Sequence, residues 1–176
     1  MRTVPLKSLT ATMILPLAFA ACDDPQAPDP GHPAFAQVSA GELAALAKEV
    51  RQATARFNST TQASLAGYAE ASPCVAAPGL GGMGFHWINL DLVDPEFDAM
   101  NPEALLYEPR RNGQLSLIGV EYVVIDVGQT APTFDGQAFE VGGAPLPVPH
   151  WTLHVWLHKR NPAGLFSAFN PEVACP

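Results

Sequence analysis

Leu115-Ser116-Leu117-Ile118-Gly119-Val120-Glu121-Tyr122-Val123-Val124-Ile125 is the stretch whose reading decides the fold. It is rich in β-branched and aromatic residues, contains no proline, and is largely apolar on both faces, as a buried strand is. One charge interrupts it. In a strand, Glu121 shares its face with Leu117, Val123 and Ile125, so it is expected to be buried, and a buried carboxylate needs a partner.

Working outward, Asn112-Gly113, just after Pro109, marks a hairpin to a second strand over Ala104–Glu108. Period-two patterns predict further strands over Phe85–Leu90 and Trp151–His158. The connection from Asp126 to Pro149 holds Pro132, Pro145, Pro147 and Pro149, which exclude a central strand. It is expected to wrap the surface with Phe134 and Phe139 as anchors. The turn-rich tail from Asn161 to Pro171 turns Leu165, Phe166 and Phe169 inward. Upstream, Leu43, Leu46, Ala47, Val50, Ala53, Phe57 and Leu65 recur at helical spacing. Ser39 with Glu42 forms a capping box and Gly67 suits the C-terminal cap. A long amphipathic helix over about 40–66 follows, with Asn58-Ser59 as the point of interruption. The class is α+β: a long N-terminal amphipathic helix packed on a small, mainly antiparallel sheet, closed by one disulfide, as a single domain over 38–176.

The N-terminus carries an address. Arg2 and Lys7 precede a short apolar run, Leu9 to Ala21, which is too short for a transmembrane helix of ~20 residues. Cys22 follows Phe19-Ala20-Ala21 and reads as a lipobox cysteine, acylated on its thiol and then exposed as the new N-terminus. Ala18-Phe19-Ala20 also fits ordinary signal peptidase, with cleavage after Ala20. Parity among the three cysteines favours the lipobox, since a lipidated Cys22 leaves Cys74 and Cys175 as a pair for an oxidising compartment. Residues 1–21 are therefore read as a lipoprotein signal peptide. Residues 22–37, with Pro25, Pro28, Pro30 and Pro33, form an acidic proline-rich tether. The expected location is outside the cytosol, on the periplasmic or exterior side of a membrane reached through the lipid.

Removing Arg2 and Lys7 with the signal takes the formal charge from −8 to −10. Basic pairs such as Arg110-Arg111 are isolated, so nucleic acid is excluded as a partner. A Cys74–Cys175 bridge is expected to be structural, because redox-active pairs favour C-x-x-C spacing, which is missing.

Four side chains carry the candidate chemistry. His150, His154 and His158 stand four apart in a predicted strand, where neighbours in the series are ~13 Å apart, too far to share one metal. They share a face with Thr152 and Trp156, opposite Trp151, Leu153, Val155 and Leu157. His86 and His154 are the natural companions of Glu121, with Glu108 at a strand end as another carboxylate. The cluster reads either as a hydrogen-bonded structural network or as a site for zinc or copper. Gly79-Leu80-Gly81-Gly82-Met83-Gly84 matches G-x-G-x-x-G, but prolines precede it and a strand follows, so it is read as a sharp turn into the first strand. Motifs G-x-S-x-G, H-E-x-x-H and S-x-x-K do not occur.

Gly81-Gly82-Met83-Gly84-Phe85-His86, Leu105-Leu106-Tyr107-Glu108-Pro109, Gly119-Val120-Glu121-Tyr122, His154-Val155-Trp156-Leu157 and Asn161-Pro162-Ala163-Gly164-Leu165-Phe166 together resemble a family of exported bacterial proteins of unassigned function. The likeness runs from about Ala40 to Cys175 and implies domain unity and export, without an activity. His86, Glu108, Glu121 and His154 fall on its motif positions. His158 departs from it, where an aromatic is usual, and is left out of any site. Two functions follow as expectations: a lipid-anchored envelope protein that binds a small ligand or metal, or a metal-dependent enzyme built on the His/His/Glu group.

Overall fold

The computed structural model describes residues 40–143 and 146–176. Cys22, the tether and the Ser39 cap lie outside the described residues. The predicted helix is divided. Helix α1 spans Ala40–Thr54, a 3-10 turn follows over Ala55–Asn58, and helix α2 spans Thr60–Leu65, with Ser59 as its N-cap accepting from the Gln62 N–H. The Thr54 hydroxyl donates to the Val50 carbonyl at the end of α1, a back-bond that loosens helices. The interruption also resets the helical phase. Val50 and Phe57 are buried as the stripe predicts, but Ala63 is buried in α2 and Leu65 is exposed. Gly67 takes a positive φ of 94° just beyond it.

Nine strands follow: β1 Ala69–Glu70, β2 Val75–Ala77, β3 Gly81–Ile88, β4 Ala104–Pro109, β5 Leu115–Ile125, β6 Thr133–Phe134, β7 Gln137–Ala138, β8 Glu140–Val141 and β9 His150–Val155. The main sheet runs β1-β3-β4-β5-β9-β8, with β2 also paired to β3, and every pairing is antiparallel. The α+β class holds. The Asn112-Gly113 turn closes the β4–β5 hairpin, with Gly113 at φ 79°. Phe134 and Phe139 are buried anchors of the long connection, which adds a β6–β7 hairpin and the edge strand β8.

One irregularity decides which side chains share a face. Leu106 pairs with Gly119 and Tyr107 with Leu117, so Ile118 is an extra residue in β5. Such a bulge flips the alternation on one side of it. Leu117 consequently leaves the face of Glu121 and joins the core with Tyr107 and Tyr122, while Ile118 packs with Leu106, Trp156 and Val173. The helices cover the first of these faces. Tyr68, Tyr107 and Tyr122 are buried there, and their hydroxyls donate to the carbonyls of Pro102, Phe57 and Ala99 at 2.6, 2.6 and 2.7 Å.

The second face is closed at one end by the tail. Gly82 and Asn170 exchange backbone hydrogen bonds, and Cys74 is joined to Cys175 across 101 residues. The glycine run does more than turn the chain. Gly81 and Gly84 lie inside β3 at positive φ, and a Cβ on Gly81 would sit 2.1 Å from the Asn170 carbonyl oxygen. Tail and strand meet backbone to backbone.

Candidate metal centre

The uncovered half of this second face carries the polar residues. Register places Glu121 opposite His154 on one side and Ala104 on the other, with Thr152 two pairs further along β9, opposite Val123. His86 lies on β3, two strands away, opposite Leu106. Between them β4 presents Leu106 opposite His86 and Ala104, with only a methyl group, opposite Glu121. His86 Nε2 is 3.6 Å from Glu121 Oε2, and His154 Nε2 is 3.8 Å from Oε1. One ligand atom from each of the three residues lies within 4.8 Å of the others. For bonds of ~2.0–2.2 Å, the edge of a tetrahedron is ~3.4 Å, so small side-chain adjustments bring all three onto one ion. His86, Glu121 and His154 form a group able to hold a metal.

Neighbouring hydroxyls prepare two of the donors. Ser72 Oγ donates to the Pro73 carbonyl at 2.9 Å and lies 3.1 Å from His86 Nδ1. A hydroxyl has one proton, so with that proton on Pro73 the Nδ1 must be the donor. The neutral ring then keeps its lone pair on Nε2, facing Glu121. On the other side, Thr152 donates to Glu121 Oε1 at 2.5 Å and fixes the carboxylate plane. Outer partners of this kind are what orient metal ligands. His154 is buried, and its Nε2 lacks any hydrogen-bond partner. Trp87 Nε1, Trp151 Nε1 and Asp135 Oδ2 share that state, but the His154 nitrogen is the one of the four that lies beside a carboxylate and a second imidazole.

Electrostatics agree with a neutral–anionic group. Burial lowers the pKa of His86, a direction opposed by Glu121 and reinforced by His154. Burial alone would raise the Glu121 carboxyl, but His154, His86 and the Thr152 hydroxyl outweigh it and hold the carboxyl below its usual value. Burial thus favours an unprotonated His86 ring, and the Thr152 hydroxyl together with any charge on the two imidazoles favours the Glu121 carboxylate; these are the states metal ligation requires.

The remaining candidates fall elsewhere. Glu108 is not brought to the group: it pairs with Ser116, roughly 16 Å along β5 from Glu121, and is held by Lys159 Nζ at 2.8 Å. Strand β9 ends at Val155, earlier than predicted, and His158 turns to the helix side, where its Nε2 meets Thr54 Oγ1 at 2.9 Å. It does not share the face of His150 and His154. His150 remains on that face, but its Nδ1 bonds the Val148 carbonyl at 2.8 Å and its ring fills the space that Gly142 leaves open. Ser72 and Thr152 were not singled out in the sequence as site residues, because a lone hydroxyl carries no pattern of its own.

The group forms the floor of a pocket of about 530 Å³, whose walls include Met83, Ile88, Val123 and Leu146. The chain matches no protein-family model, no curated protein and no solved structure.

Proposed function

We propose that this is an exported, lipid-anchored cell-envelope protein whose domain binds a transition metal, zinc or copper, through His86, Glu121 and His154. The unpartnered, buried His154 Nε2, aimed at a carboxylate and a second imidazole, carries this reading. Two imidazoles and one carboxylate suit zinc and copper better than calcium or magnesium, which take oxygen ligands. The Cys74–Cys175 bridge supports residence outside the cytosol, and the lipobox reading of Cys22 supports the anchor.

Protein purified without chelator or affinity tag is expected to contain stoichiometric zinc or copper, lost in His154→Ala. Absence of metal, together with no uptake on titration, removes the metal reading. Mass spectrometry of the processed chain is expected to find acyl chains on Cys22; a bare terminus at Ala21 removes the anchor.

The pocket favours a second reading, a metal-dependent enzyme. Three protein ligands leave a fourth tetrahedral position, the arrangement of catalytic rather than structural zinc, and here it would face the pocket. X-ray absorption that counts three protein ligands supports this reading, and four would exclude it.

A further inference from the structure

We infer that the fourth position of the metal takes the head of a monocarboxylate whose apolar body lies in the pocket above it. This rests on the metal reading given under Proposed function. The pocket, at about 530 Å³, falls within the roughly 300–1,000 Å³ typical of small-ligand sites. His86, Glu121 and His154 meet at one end with Ser72 and Thr152 beside them, Glu140 and His150 also line the pocket, and Met83, Ile88, Val123 and Leu146 supply apolar walls. A ligand that fits both parts has one polar head and a hydrocarbon body.

Charge selects the head. A divalent ion held by two neutral imidazoles and one carboxylate keeps one net positive charge, which an anionic oxygen donor neutralises. Among the described residues neither Lys nor Arg lines the pocket, and the third imidazole there, His150, has its Nδ1 on the Val148 carbonyl, so a bound metal would be the group that holds an anion. Glu140, paired with Thr152 in β8, adds a negative charge to the lining. A second carboxylate on the ligand would meet that charge or be buried against apolar walls, and both cost free energy. Monocarboxylates are therefore favoured over dicarboxylates. Each methylene buried contributes roughly fourfold in affinity, so two or more of them suffice to separate a fatty acid from acetate by about tenfold.

The test uses the mature protein loaded with cobalt(II), whose visible spectrum reports the ligands on the metal. Octanoate is expected to change the spectrum at concentrations at least tenfold below those needed for acetate or succinate, and Met83→Asp is expected to weaken octanoate by tenfold or more. Equal concentrations for octanoate and acetate, no spectral response, or equally tight octanoate binding by metal-free protein in calorimetry would each overturn the inference. If cobalt is not taken up at all, the metal reading falls and this inference with it. If cobalt is taken up and octanoate has no advantage, only this inference falls.

Discussion

Glu121 and Tyr122 are consecutive residues of β5 that face opposite sides of the sheet, and the two sides are built differently. On the helix-covered side, three buried tyrosine hydroxyls each end on a backbone carbonyl, and the rings of Phe97, Tyr122, Phe134 and Phe139 pack edge to face or tilted. Trp87 and Trp151 leave their indole N–H groups unpaired on this side, but each is a lone donor. The pocket side gathers its unpaired nitrogen, a second imidazole and a carboxylate around one point. Completed hydrogen bonds hold the fold together. A convergent, incomplete set of donors is what a group able to hold a metal presents.

The largest effect is expected from the bridge that pins the tail over the pocket side. Replacing Cys74 and Cys175 by Ser releases a loop closed across 101 residues and should lower stability by up to about 4–5 kcal/mol in urea denaturation. Next comes the contrast within β5. Tyr122→Ala, in the packed core, should cost about 3–5 kcal/mol. Glu121→Met, one residue away, removes a carboxylate that accepts from Thr152 and lies beside two imidazoles, and should lower the stability of the metal-free fold by about 1–3 kcal/mol, less than Tyr122→Ala, while metal uptake is abolished. Equal losses from these two variants would break the comparison.

A buried acid sharpens it. Burial raises the Glu103 carboxyl from the ordinary 4.5 to about 8, with a hydrogen bond from the Val123 N–H acting in the opposite direction. The folded state thus holds its proton longer than the unfolded chain. The contribution of Glu103 to stability is full below about pH 4.5 and declines toward pH 8, by up to about 1.4 kcal/mol per unit. Glu103→Gln should flatten that slope in denaturation series at several pH values. The smallest expected effect concerns the tautomer of His86. Ser72→Ala should weaken zinc binding by roughly 10–100-fold in competition titrations and leave the thermal midpoint of the metal-free protein close to wild type.

Much of this contrast was legible in the residues. The strand Leu115–Ile125 carries its full pattern of β formers, and both ends of it match the structure. His86, Glu121 and His154 were associated because a charge among apolar residues must find company and cations are scarce nearby. Less visible was the route of contact, since β4 separates β3 from β5 and the register that sets the small Ala104 opposite Glu121 leaves no mark in the sequence. The bulge at Ile118 leaves no mark in the alternation, so a strict period of two puts Leu117 on the wrong face. Strands of two or three residues, such as β1, β2 and β8, are too short to show a period. Glu108 drew attention by residue type, whereas its place at the far end of β4 gave it to Lys159.

Those same short strands have a consequence for the protein at high concentration among other chains. Both margins of the main sheet finish in pieces of two or three residues, β1 and β2 on one flank and β8 on the other. A foreign chain seeking to extend the sheet finds no long ladder of free amides along these pieces. Self-association by strand addition is discouraged at its starting point, and the broad hollow over β3, β5 and β9 is left as the surface open to recognition.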